Sequence, residues 1–135
     1  MGDHRPAAMR LLVTGHDDEG RATLAGDGPV EATVLSSGTA LHRLWGCDTA
    51  PAFRFSVWTV PPGYTSPVHA TPTVDCGIVL SGELWLELED GVEQHLRSGD
   101  AFVQNGTRHA WRNRGDQPAV VALFIAAVGH ADLPF

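Results

Sequence analysis

Positive charge is scarce in this chain of 135 residues: nine Lys and Arg stand against sixteen Asp and Glu, a formal balance of −7. These basic residues are scattered, and all nine are Arg. That argues against DNA, RNA or an anionic membrane as partner, because each of those needs clustered cations. Long hydrophobic runs are missing too, and none approaches the roughly 20 residues that span a bilayer. The opening MGDHRPAAMRLL carries an acid and no apolar core, so it does not read as a secretory signal. Cysteine is limited to Cys47 and Cys76, too few for a disulfide framework. Both are expected as packed thiols in a cytoplasmic protein. What remains is an ordinary globular composition, 43% hydrophobic and 19% charged, expected to form one domain over 1–135.

Helical periodicity is also absent, and short alternating runs separated by turn residues take its place. Phe53–Val60 alternates as a half-buried strand and stops at Pro61-Pro62-Gly63. Val74–Leu80 follows and turns at Ser81-Gly82. Glu83–Glu89 has period two, with Leu84, Leu86 and Leu88 on one face and Glu87 and Glu89 on the other. Asp90-Gly91 predicts a two-residue type I′ hairpin leading into Val92–Arg97. Ser98-Gly99-Asp100 turns again, Ala101–Gln104 and Thr107–Trp111 flank Asn105-Gly106, and Gln117–Val128 is a long apolar final strand. Leu11–Thr14 and Arg21–Leu24 read as edge strands. Turn signals every eight to twelve residues predict an all-β antiparallel sandwich or barrel with little or no helix.

The chemistry-bearing residues are His69 and Asp75, six positions apart, and His109 some forty residues on. Two imidazoles and a carboxylate are the side chains that hold a divalent first-row metal while leaving coordination positions for a substrate. Other readings fit less well. A Cys76 nucleophile would face away from such a site, and no Ser precedes a helix in a strained turn. Phosphate cradles need a helix N-terminus, and Glu83, Glu87 and Glu89 lie on an outward strand face, unsuited to a glycosidase pair.

Gly63, five residues, His69, one residue, Thr71, three residues, Asp75, six residues and Gly82 form one block; Gly99-Asp100, Gly106, His109 and Asn113 form a second. These resemble the two motifs of the cupin superfamily, G-x5-H-x-H-x3-4-E-x6-G and G-x5-7-P-x-G-x2-H-x3-N. The sixteen residues between Gly82 and Gly99 are similar to the spacer of compact single-domain cupins. The resemblance covers 63–113 and implies a jelly-roll β-barrel, with the strands of 10–60 completing the barrel or a dimer interface. It also implies a divalent metal (zinc, iron, manganese or nickel) held by His69, Asp75 and His109. The chain departs from the family at Thr71, which replaces the second His; at Asp75, which replaces Glu; and at Gln104, which replaces the Pro. Asp reaches about 1.5 Å less far than Glu, so the other outcome is a hydrogen-bonded cluster of the same side chains without metal.

Parity places the neighbours. If Asp75 points inward, so do Gly77 and Val79, while Cys76, Ile78 and Leu80 point out. Trp111 shares the inward face with His109, whereas Arg108 and Arg112 point out. Thr71, Gln104, Trp111, Phe55 and Trp58 are the candidate substrate contacts, and His42 with Trp45 is a further candidate at the mouth. The apolar outer face predicts a homodimer. Three functions fit: an enzyme moving protons on a small carbonyl or carboxylate metabolite (decarboxylation, dehydration, isomerisation or cyclisation), an Fe(II) dioxygenase using the His/Asp/His set, or a non-catalytic small-molecule binder.

Overall fold

A computed structural model describes residues 5–49, 52–88 and 91–127. In chain order the strands are β1 (Met9–His16), β2 (Ala22–Val30), β3 (Thr33–Val34), β4 (Ala40–Cys47), β5 (Phe53–Val60), β6 (Thr73–Ser81), β7 (Glu83–Leu88), β8 (Glu93–Arg97), β9 (Ala101–Gln104), β10 (His109–Arg112) and β11 (Ala119–Ala127). No helix occurs among the described residues, so none is present to cross a membrane. All pairings are antiparallel.

A six-stranded sheet in the order β3-β4-β5-β11-β6-β9 is accompanied by a three-stranded sheet, β10-β7-β8. The side chains between them form the core: Val60, Val79, Leu84, Phe102, Trp111, Val121, Leu123 and Ile125. Alternation explains this division on β6 and β11. Val79, Val121, Leu123 and Ile125 are buried, whereas Ile78, Leu80 and Phe124 are exposed. Gly77 sits on the inner face because nothing larger fits; a Cβ there would lie 2.4 Å from the Phe102 ring.

Four sequence expectations are corrected. The β1–β2 hairpin is a separate two-stranded sheet, longer than the edge strands foreseen. A strand at Ala40–Cys47 was not foreseen, because a bulge between Arg43 and Trp45 breaks its alternation. Backbone hydrogen bonds join Leu88 to Val92 and Gly91 to Leu88, so three residues separate the closing pair rather than two. Gly91 takes the positive φ of 81°, while Glu89 and Asp90 lie outside the described residues, as does Val128 at the end of the last strand. Finally, His42 does not reach the mouth. It pairs with Val57 on the outer face, is buried, and its Nε2–H donates to the Ala7 carbonyl at 2.7 Å.

Candidate active site

The segment between β5 and β6 contains no strand, yet it runs alongside β10. Bridges at Thr65–Arg112 and His69–His109 hold it there, and Ser66 N–H donates to the Trp111 carbonyl. Asn113 anchors the segment's start. Its backbone exchanges bonds with Gly63 and Tyr64, and its buried side-chain amide donates to the carbonyls of Val60 and Gln117. Gly106, at φ 71°, lets the β9–β10 turn pass the Thr71 carbonyl, which a Cβ would approach to 3.1 Å. Both sequence blocks thus serve largely to bring His69 beside His109.

The two histidines repeat one local arrangement. His69 Nδ1 lies 2.8 Å from the carbonyl of Pro67, two residues back, and His109 Nδ1 lies 2.7 Å from that of Thr107, also two back. A carbonyl only accepts, so each Nδ1 carries the hydrogen and each Nε2 keeps its lone pair. The ring centroids are 4.5 Å apart. Burial, above all, holds the His109 pKa below the ordinary imidazole value. The nearby His69 lowers it further, against the raising effects of the Thr107 carbonyl and Asp75. His109 is therefore neutral at physiological pH and its Nε2 is a base.

Asp75 is engaged elsewhere. Its Oδ1 accepts from the Thr73 hydroxyl at 2.7 Å and its Oδ2 from Gln104 Nε2 at 3.3 Å. Thr107 donates in turn to Gln104 Oε1, and the Thr71 and Thr73 hydroxyls lie 2.7 Å apart. Asp75 and Gln104 are paired across β6 and β9. Gln104 is thus a buried support for Asp75, and the described residues lining the cavity do not include it.

The implied metal can be tested against this donor set. Two imidazole Nε2 atoms are available, but no group of three His, Cys, Asp or Glu side chains converges among the described residues. Asp75, shorter than Glu and held by Thr73 and Gln104, supplies no third donor. The residues present do not fit the three-ligand set that the sequence resemblance implies.

The histidines open onto a cavity of about 280 Å³. Its aromatic walls are Trp58, Tyr64, Phe102 and Trp111, meeting largely edge to face; the Trp58 and Trp111 centroids, for example, lie 6.0 Å apart at 72°. Of the residues foreseen, His69, Thr71, Asp75, His109, Trp111 and Trp58 line it. Phe55 does not. It lies one residue out of phase with Ser56 and Trp58 and stands exposed on the outer face beside Phe124. Sequence reasoning missed Thr73, although it stands two residues before Asp75 on the same face of β6. It also missed Tyr64, Phe102 and Leu41.

The two sheets form an antiparallel jelly-roll barrel with paired histidines in a largely apolar mouth. The sequence model of the Cupin_2 family, described as a cupin domain, matches residues 56–126, and the chain belongs to that family. Among curated proteins it is similar to Oryzines biosynthesis cluster protein J of Aspergillus oryzae, 46% identical over 65 residues, covering 48% of this chain and 36% of that protein. It is also similar to Cupin-domain-containing oxidoreductase fogC of Aspergillus ruber, 29% identical over 126 residues, covering 75% and 62%. The chain spans 29 to 36% of the length of the first three such relatives. Among solved structures, the polyketide cyclase RemF of Streptomyces resistomycificus superimposes with a TM-score of 0.63 at 20% identity, covering 78% of this chain and 77% of that one. At that identity the likeness concerns the fold.

Proposed function

We propose that this protein is an enzyme of specialised metabolism that moves protons on a small carbonyl metabolite, with His69 and His109 as the acid–base pair. The observation that carries the reading is the matched pinning of both Nδ1 hydrogens, which leaves two basic Nε2 atoms side by side in a largely apolar cavity. One Nε2 takes a proton from the carbon next to a carbonyl, and the Asp75 carboxylate stabilises the imidazolium electrostatically. The pair then returns a proton at another position. Isomerisation, dehydration, cyclisation and decarboxylation share this enolate-like step. Similarity to biosynthesis cluster proteins supports the setting in specialised metabolism.

The direct test is hydrogen–deuterium exchange beside the carbonyl of 6-hydroxy-2-tetralone, a ketone that also carries a phenol donor, in D2O, followed by NMR. The expected result is exchange that depends on His109 and persists with a chelator and without oxygen. A second reading, a dioxygenase using Fe(II), draws on the relatives named oxidoreductases. Iron-dependent oxygen uptake with no anaerobic exchange would favour it. Ligand binding with neither activity would leave a binding barrel.

The partner proposed for the outer face is a second copy of the chain. Trp45, Phe55, Phe124, Cys76 and Val103 are successive cross-strand neighbours over five strands, and all but Cys76 are exposed large apolar residues. Such a stripe supports an isologous interface.

A further inference from the structure

We infer that the site takes a non-anionic aromatic ligand that brings its own hydrogen-bond donors, a phenol or enol rather than a carboxylate. The inference deepens the proposed function by naming the substrate class for the same cavity.

Among the imidazoles and threonine hydroxyls on the histidine side of the cavity, every hydrogen is already committed. The Nδ1 hydrogens of His69 and His109 go to the carbonyls of Pro67 and Thr107. Thr73 donates to Asp75, so in the Thr71–Thr73 contact the hydrogen is Thr71's. Neighbouring Ser66 donates to the Pro67 carbonyl and accepts from Trp111 N–H. Two Nε2 lone pairs, the Thr71 oxygen and the Asp75 carboxylate are left. All of them accept and none donates. A ligand is held here by hydrogens it brings, and one that presents only acceptors leaves these buried and half-buried groups unpaired.

Charge points the same way. The chain contains no Lys, and all nine of its basic residues are Arg at described positions, none of which lines the cavity. Arg10, Arg21, Arg54, Arg112 and Arg114 are instead ion-paired with acids elsewhere. An entering carboxylate or phosphate would lose water, gain no cation and meet the Asp75 charge. The aromatic walls favour a flat apolar body. Donors on one edge of a planar ring system match both halves of the cavity.

The test is isothermal titration calorimetry of the full chain at about pH 8, where free imidazoles are neutral, with three probes of one shape. These are 2-naphthol, 2-methoxynaphthalene and 2-naphthoate. Naphthol is expected to bind at least about tenfold more tightly than the ether and the carboxylate, consistent with the cost of leaving buried polar groups unpaired. Thr71→Val should weaken naphthol severalfold and leave the ether unchanged. Naphthoate binding as tightly as naphthol, equal binding of naphthol and ether, or no naphthol binding would each overturn the inference. Because the readout is affinity, naphthol preference without tetralone exchange would remove the proton-transfer reading and keep the ligand class. Exchange confined to carboxylates would do the reverse.

Discussion

His69 and His109 are backbone partners as well as neighbouring rings: each N–H donates to the other's carbonyl at 2.9 Å. The distance between the two imidazoles is therefore set by a sheet-like bridge rather than by flexible side chains. A pair built this way is rigid before any ligand arrives, which is what acid–base work in a small cavity requires.

Removing either ring should cost activity far more than stability. His69→Ala and His109→Ala are each expected to reduce tetralone exchange by about 100-fold or more, the usual scale for a positioned acid or base. Circular dichroism should show the strands retained. Unchanged exchange in both variants would exclude the pair as the catalytic group.

The depressed pKa of His109 carries a sign. Its neutral form is favoured in the folded state, so its contribution to stability is complete above the unfolded-state value near 6.5 and fades as pH falls through the lower folded-state pKa. Activity that needs the free base should accordingly persist below pH 6.5, and His109→Gln should flatten the fall of melting temperature on acidification. A steeper fall in that variant would assign the acid sensitivity to other groups.

Metal affinity tests whether Asp75 is out of reach. With two imidazoles as donors, the wild-type chain is expected to bind Zn²⁺ weakly. Asp75→Glu lengthens the side chain by about 1.5 Å and should tighten binding by roughly tenfold or more, at the expense of the contacts to Thr73 and Gln104. Calorimetry with zinc compares the two directly. Tighter binding by the wild type would mean that Asp75 leaves those partners to ligate.

At Gly77 the prediction concerns packing. A methyl group would drive into the Phe102 ring, which lies 4.9 Å from Trp111 between centroids. Gly77→Ala should destabilise the fold by about 1–3 kcal/mol and weaken aromatic probes through the displaced wall. A denaturation midpoint equal to wild type would show that Phe102 moves freely.

The outer face supplies a last prediction. Phe124→Glu puts a charge in the centre of the exposed stripe and should turn a dimer into a monomer in analytical ultracentrifugation. A wild-type chain that sediments as a monomer at high concentration would rule out the interface.

Much of this architecture was legible in the sequence. Period-two runs and glycine turns marked the strands from Phe53 onward, and parity on β6 correctly divided Val79 from Ile78 and Leu80. The resemblance to cupin motifs brought His69, Asp75 and His109 to one cavity. The sequence was less informative where the backbone departs from simple alternation. The bulge in β4 hid that strand and left His42 misplaced, and the phase of β5 could not separate Phe55 from Trp58 without knowing which face was covered. Nor could spacing show that Asp75 would be held by Thr73 and Gln104, because Gln104 sits 29 residues away and arrives only through the β6–β9 pairing.

β11, the last strand among the described residues, lies between β5 and β6. Until residues 119–127 leave the ribosome, two interior strands have open edges and the halves of the main sheet cannot join. Joining the sheet therefore depends on contacts distant in the chain, the kind that form slowly.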